Sequence, residues 1–316
     1  MAFLLKKGDF SKFIDLLISN YDVIAPVKDE KNISKFELLS KGMGDKLIFN
    51  VPLYPAKDWF MPIKEQMLKF KGDKLIDVKA KDTKKVFFMN WCDVNAIHRN
   101  DLIMLDNPGD PYYKRKRDSS YLIEIPCVVT EHCNCTNLGL IDCFDLKLIE
   151  DKKTNCFILH SKTKKGEELL KKAKKKLTLK STTFDIKTII PYEHKQIKTD
   201  NKKVWKNYEK DCLSCSACTV VCPTCVCFNI SGHLDLSLDS GSKYREWSSC
   251  QLKNYTKIAG GFVFRDNRGA RGKQRIHCKF VYFKEKYDYA RCVGCGRCNQ
   301  ACPVGINIYD YYSRLK

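Results

Sequence analysis

The chain has 316 residues, room for two domains, and its 44% hydrophobic content is that of a globular protein. No apolar run approaches the roughly eighteen residues of a membrane span. The formal net charge of +20 comes from 57 Lys and Arg against 37 Asp and Glu, yet lysine is spread along the whole chain, so charge alone argues for no nucleic-acid partner.

In chain order, Met1 to Leu5 is followed at once by Lys6, Lys7 and Asp9, which does not read as a secretory signal. A cytoplasmic location is expected, and there thiols stay reduced. Phe10, Phe13, Ile14, Leu16 and Leu17 fall at helical spacing, with Asp9 as N-cap. Val51 to Pro55 and Pro62 break regular structure. Val86 to Met89 predicts a buried strand and Asp93 to Leu105 a helix. Tyr121 to Ile125 predicts a second strand, stopped by Pro126, and Lys165 to Leu177 an exposed helix. The lysine-rich stretch His194 to Asp211 reads as a linker. The expected fold class is α+β, with a mixed α/β domain over residues 1–195 and a ferredoxin-like domain over 196–316.

The ferredoxin expectation rests on one pattern written twice. Cys212, Cys215, Cys218 and Cys222-Pro223 follow the spacing C-x2-C-x2-C-x3-C-P, and Cys292, Cys295, Cys298 and Cys302-Pro303 repeat it. Bacterial-type ferredoxins hold two [4Fe–4S] clusters with this run, three close thiolates gripping one cluster and the distant fourth closing the other. The first cluster is thus assigned to Cys212, Cys215, Cys218 and Cys302, and the second to Cys292, Cys295, Cys298 and Cys222. Zinc would need two separated C-x2-C pairs, and two complete runs with their prolines do not look like that. Residues 223–291, between the runs, form a long insertion rich in Arg265, Arg268, Arg271, Lys273, Arg275 and Lys279. It reads as a loop that packs over the clusters, or as a docking surface for a redox partner.

Of the six cysteines before the linker, four form a candidate third site. Cys92 follows one predicted strand and Cys127 the next, while Cys133 and Cys135 share a short turn. In an open α/β sheet the carboxyl ends of neighbouring strands share an edge where ligands gather. Cys143 and Cys156 read as ordinary buried residues. Cys225, Cys227, Cys250 and Cys278 are a further group with metal-binding potential, read here mainly as packing around the clusters.

With these residues in view, the chain resembles a family of iron–sulfur electron-transfer subunits. That family includes the electron-transfer subunit of anaerobic sulfite reductase and the beta subunit of soluble NiFe hydrogenases, or sulfhydrogenases. The resemblance covers nearly the full length. It rests on Cys212 to Phe228, Arg245 to Cys250 and Cys292 to Ile306, and upstream on Tyr21 to Val27, Trp91 to Ile97, Asp110 to Arg115 and the Cys127, Cys133, Cys135 group. Departures lie at Gly261 to Arg265, at Cys133-Asn134-Cys135 and at Ile276-His277-Cys278-Lys279, and they leave the ligands of the two runs intact. The resemblance implies a relay beside a flavoprotein of the ferredoxin-reductase type, which exchanges electrons with NAD(P)H. The relay would serve a catalytic subunit, sulfite reductase first and hydrogenase as the alternative, with ferredoxin as a further partner. It also strengthens the third-cluster assignment to Cys92, Cys127, Cys133 and Cys135.

An enzyme with its own substrate site is the rival reading. Gly42-Met43-Gly44 lacks a third glycine, no Walker-type lysine loop occurs, and no nucleophile–base pair can be read from the six histidines. Catalytic residues are therefore not assigned. A cluster-bearing nucleic-acid binder ranks third, since no recognition motif accompanies the charge.

Overall fold

The computed structural model describes residues 1–78, 83–184 and 201–315. Its largest element is an eight-stranded mixed sheet. The twelve strands of the described residues are, in chain order, β1 (Ala2–Lys6), β2 (Asp22–Lys28), β3 (Ser34–Leu38), β4 (Lys64–Lys71), β5 (Lys74–Asp77), β6 (Lys85–Met89), β7 (Ser120–Glu124), β8 (Leu146–Asp151), β9 (Cys156–Ser161), β10 (Lys180–Thr182), β11 (Phe228–Leu234) and β12 (Ser240–Trp247). The large sheet runs β10-β1-β9-β8-β7-β6-β2-β3, and its centre, β2-β6-β7-β8, is parallel.

Parallel strands are covered on both faces and therefore read as continuous apolar runs. Val86 and Phe88 of β6 point into one core, with Val23, Tyr121 and Ile123 beside them. Phe87 and Met89 point into the other, with Ile24 and Leu122. The first face is covered by the helices Phe10–Ile18 and Lys164–Lys174, the second by Trp91–Met104 and Pro111–Asp118. β6, β7 and the helices Phe10–Ile18, Trp91–Met104 and Lys164–Lys174 fall where the sequence predicts them, whereas β2 and the helix Pro111–Asp118 were not foreseen. Asp9 stands at the N-cap position, but its carboxylate holds Lys12 at 2.9 Å instead of a helix N–H.

The expected boundary between residues 195 and 196 lies outside the described residues, as do residues 194–200 of the expected linker. The rest of that linker is a helix, Lys202–Asp211, because Val204, Trp205 and Tyr208 form a buried stripe among its lysines. This stripe packs on the helix Arg268–Phe280 and on Ile306, Ile308, Tyr311 and Tyr312. The two helices approach at Gly272, where a Cβ would stand 2.2 Å from the Tyr208 ring.

The insertion is structured as well. It supplies the hairpin β11–β12, and β12 pairs with β4 from the first half of the chain in a four-stranded sheet ordered β11-β12-β4-β5. That sheet is pinned by buried Arg245, which binds Glu65 at 2.5 Å and also Asp110, and by Trp247 Nε1 donating to the Met61 carbonyl at 2.7 Å. The two expected domains thus share a sheet. Among the described residues no helix is long and apolar enough to cross a membrane.

Candidate iron–sulfur sites

The two cysteine runs fold alike. In each, residues three and five take positive φ: Ser214 at 55° and Ser216 at 68° in the first, Gly294 at 67° and Gly296 at 73° in the second. A four-residue helix then begins, Ala217–Val220 or Arg297–Gln300. This turn aims main-chain N–H groups at sulfur. Ser214 N donates to Cys212 Sγ at 3.3 Å, Gly294 N to Cys292 Sγ at 3.5 Å, and Ile306 N to Cys302 Sγ at 3.2 Å.

Cys212, Cys215, Cys218 and Cys302 line one cavity, walled by Leu213, Val304, Ile306 and Ile308. Cys298 of the second run opens onto it too. Cys292, Cys295 and Cys298 lie close enough to Cys222 for their charges to interact. Burial pushes the Cys295 thiol up to about 12 and raises Cys298 as well. Thiols held protonated this way are quiet as free nucleophiles, and coordination to iron is what would deprotonate them. Tyr309 Oη lies 3.2 Å from Cys292 Sγ.

The third set also converges. Because β6 and β7 are parallel, their carboxyl ends deliver Cys92 and Cys127 to one edge. Cys133 and Cys135 join them in a cavity bounded by Trp91, Pro126, Glu124 and Lys147. Burial pushes Cys127 up to about 12 and the Glu124 carboxyl up to about 7, with Lys147 2.8 Å from Glu124. Cys295 lines the same cavity, so the third site abuts the second run. The contact is main chain on main chain: Asn134 N donates to the Gly294 carbonyl at 2.7 Å. A Cβ on Gly294 would stand 2.4 Å from the Asn134 carbonyl carbon, and one on Gly296 would stand 2.4 Å from the His132 oxygen. Ser214 meets no such neighbour and instead accepts from Arg271 Nη2 at 3.1 Å. The second run needs glycine at the positions where the first keeps serine.

The sequence reading missed the residues that lock these sites together. Asp93, next to Cys92, forms a fully buried ion pair with Arg297 at 2.6 Å, between Cys295 and Cys298. Arg99 donates to the carbonyls of Ala290 at 2.6 Å and Leu138 at 3.3 Å, and Asn100 to that of Pro223 at 3.0 Å. The weak amphipathicity of Trp91–Met104 was their signal, since a helix with no polar face to water buries polar groups against a partner. Cys143 and Cys156 stand outside all three sets. The sulfur-only donors, apolar walls and main-chain N–H groups aimed at sulfur fit iron–sulfur clusters.

Comparison with known proteins agrees. Residues 211–306 match the 4Fe-4S dicluster domain. The chain is 29% identical to sulfhydrogenase 2 subunit beta of Pyrococcus furiosus, over 94% of this chain and 93% of that one. The chain is therefore a 4Fe-4S iron–sulfur electron-transfer protein homologous to a hydrogenase subunit.

Proposed function

We propose that this iron–sulfur protein is the electron-relay subunit of a multisubunit complex, placed between a flavoprotein of the ferredoxin-reductase type and a catalytic subunit. The observation that carries the reading is contiguity. Cys298 borders the cavity of Cys212, Cys215, Cys218 and Cys302, while Cys295 borders that of Cys92, Cys127, Cys133 and Cys135. The three sites are neighbours, with the second run in the middle. A conductor needs that arrangement, whereas an enzyme with one substrate site does not.

In this reading Cys212, Cys215, Cys218 and Cys302 hold one [4Fe–4S] cluster, and Cys292, Cys295, Cys298 and Cys222 a second. Cys92, Cys127, Cys133 and Cys135 hold a third. When bound, such clusters supply one-electron redox chemistry over a wide range of potentials, set by charge, hydrogen bonds to sulfur and solvent exposure. The chain sets those terms. Leu213, Ile306 and Ile308 give the first site an apolar wall. The N–H groups of Ser214, Gly294 and Ile306 stabilise negative charge on sulfur. Asp93–Arg297 fixes the third site against the second.

Similarity to a sulfhydrogenase beta subunit favours a hydrogenase as the catalytic partner over a sulfite reductase. Ferredoxin remains a further exchange partner, and the setting is cytoplasmic. The test is reduction of the anaerobically purified chain. NAD(P)H with a ferredoxin-reductase-type flavoprotein should bleach its visible iron–sulfur absorption, and the catalytic subunit should restore it. A chain that holds iron and sulfide but exchanges electrons with neither would sink the proposal. Cys133→Ser should lower iron by about four per chain if the third site is filled.

A further inference from the structure

Beyond the three sites of the relay, four more thiols lie together. β11 and β12 pair with Phe228 opposite Trp247, and Ser248 N donates to the Cys227 carbonyl at 2.9 Å, so Cys227 and Cys250 face each other from the two ends of the hairpin. Their side chains are hydrogen-bonded, and Tyr255 also reaches Cys227. Cys225 lies beside Cys222 and Cys250. Cys278, on the helix Arg268–Phe280, closes the group through Arg291, whose Nη1 is 3.1 Å from its Sγ and whose charge also acts on Cys225 and Cys227.

The surroundings of these thiols are as telling as the thiols. Arg275 is 1% exposed and Lys279 2%. Arg275 Nη1 stands 3.4 Å from Cys225 Sγ, and Lys279 Nζ 2.6 Å from Thr224 Oγ1. Lys57, 4% exposed, faces the same group with its ammonium 3.8 Å from the Trp247 ring centroid. Among the described residues, no carboxylate lies within ion-pair distance of Lys57, Arg275, Lys279 or Arg291. Nor do Arg275 Nε, Arg291 Nε and Arg291 Nη2, all buried, have any hydrogen-bond partner. Burying one unpaired cation costs several kcal/mol, and four gathered about these thiols call for an anion. Arg275 also faces Cys218, Cys222 and Cys298 of the relay sites, and Lys279 and Lys57 face Cys222, but the thiols that Arg291 faces all belong to the new group.

We propose that Cys225, Cys227, Cys250 and Cys278 ligate a fourth iron–sulfur cluster, with Lys57, Arg275, Lys279 and Arg291 as its buried counter-cations. Four thiolates around a cuboidal cluster carry the net negative charge that these cations lack. No three Cys, His, Asp or Glu side chains among the described residues, the ferredoxin-type thiols included, converge on a single ion. Zinc also takes four thiolates, so zinc is one of the outcomes that the test separates. Through Cys225 the site touches Cys222, which makes it a side branch at the middle site of the three. The basic residues of the insertion, expected at a docking surface, are in part the lining of this site.

The test is iron, zinc and acid-labile sulfide per chain on the full-length protein purified without oxygen, with the EPR spectrum after dithionite reduction. The expected content is about sixteen irons, falling by about four in Cys227→Ala/Cys250→Ala. Cys278→Ala, which removes one ligand from the helix side, should change one EPR component and leave the rest. Should the double variant fail to fold, the wild-type count and Cys278→Ala decide. No more than about twelve irons, together with a Cys278→Ala spectrum and iron content equal to wild type, overturns the fourth site. One zinc lost with Cys278, or a Cys227–Cys250 disulfide recovered by peptide mapping, overturns it too. Any of these results leaves the three-site relay standing if the flavoprotein still reduces the chain.

Discussion

Gly294 and Ser214 occupy equivalent places in the two runs, and both have positive φ, yet they should respond differently to alanine. At Gly294 the new Cβ meets the Asn134 main chain, which cannot move without moving Cys133 and Cys135. Gly294→Ala should therefore deplete the third site by about four irons while the first keeps its EPR signal. Ser214→Ala loses one hydrogen bond from the Arg271 guanidinium, about 1.5–3 kcal/mol, and should keep full iron content. Equal iron loss in both variants would refute the account. At this scale the cysteines were legible because cluster ligation is local in sequence: three thiols within seven residues announce themselves. Arg297 was not, since its partner Asp93 lies 204 residues away and neither residue sits in a recognisable motif. The glycines of the second run were visible as small residues. Their reason, the loop of residues 132–135 lying on them, was not.

Among elements, the helix Trp91–Met104 has the largest hold on the sites. Its first turn holds Cys92, it carries Asp93, Asn95, Arg99 and Asn100, and it buries all of them. Asp93→Ala would leave Arg297 as an uncompensated charge in the interior. Breaking such a pair costs about 3–5 kcal/mol, read as a lower urea midpoint than wild type at matched iron content. A shift worth less than about 1 kcal/mol would mean that the pair is dispensable. Two central strands of the large sheet, β6 and β7, were legible because buried parallel strands are apolar on both faces, as in Val86 to Met89, whereas the other six strands of that sheet were not read. The helix Lys202–Asp211 was not, because its lysines outnumber the three residues that pack and composition hid the stripe. The insertion's hairpin escaped notice for a related reason. β11 is mostly exposed, so it lacks the alternation that marks a half-buried strand.

For the whole molecule, the shared sheet matters more than the division of the sequence into halves. β4 and β12 come from opposite sides of the expected boundary, and Arg245, Arg297, Arg99 and Lys57 all cross it. A single backbone cut within residues 185–200 should leave two fragments that elute together in gel filtration and separate only in denaturant. Elution as two species would show that the halves are held by the peptide bond alone.

That same sheet orders the making of the protein. A ribosome releases Cys92, Cys127, Cys133 and Cys135 long before Cys295, and β4 long before the β12 that covers its edge. The early thiols consequently wait, reduced and incompletely walled, until the last cysteines have emerged. On the proposed third site, a product truncated before residue 228 would lack Cys295 and β12, the parts that wall its early thiols and cover the edge of β4.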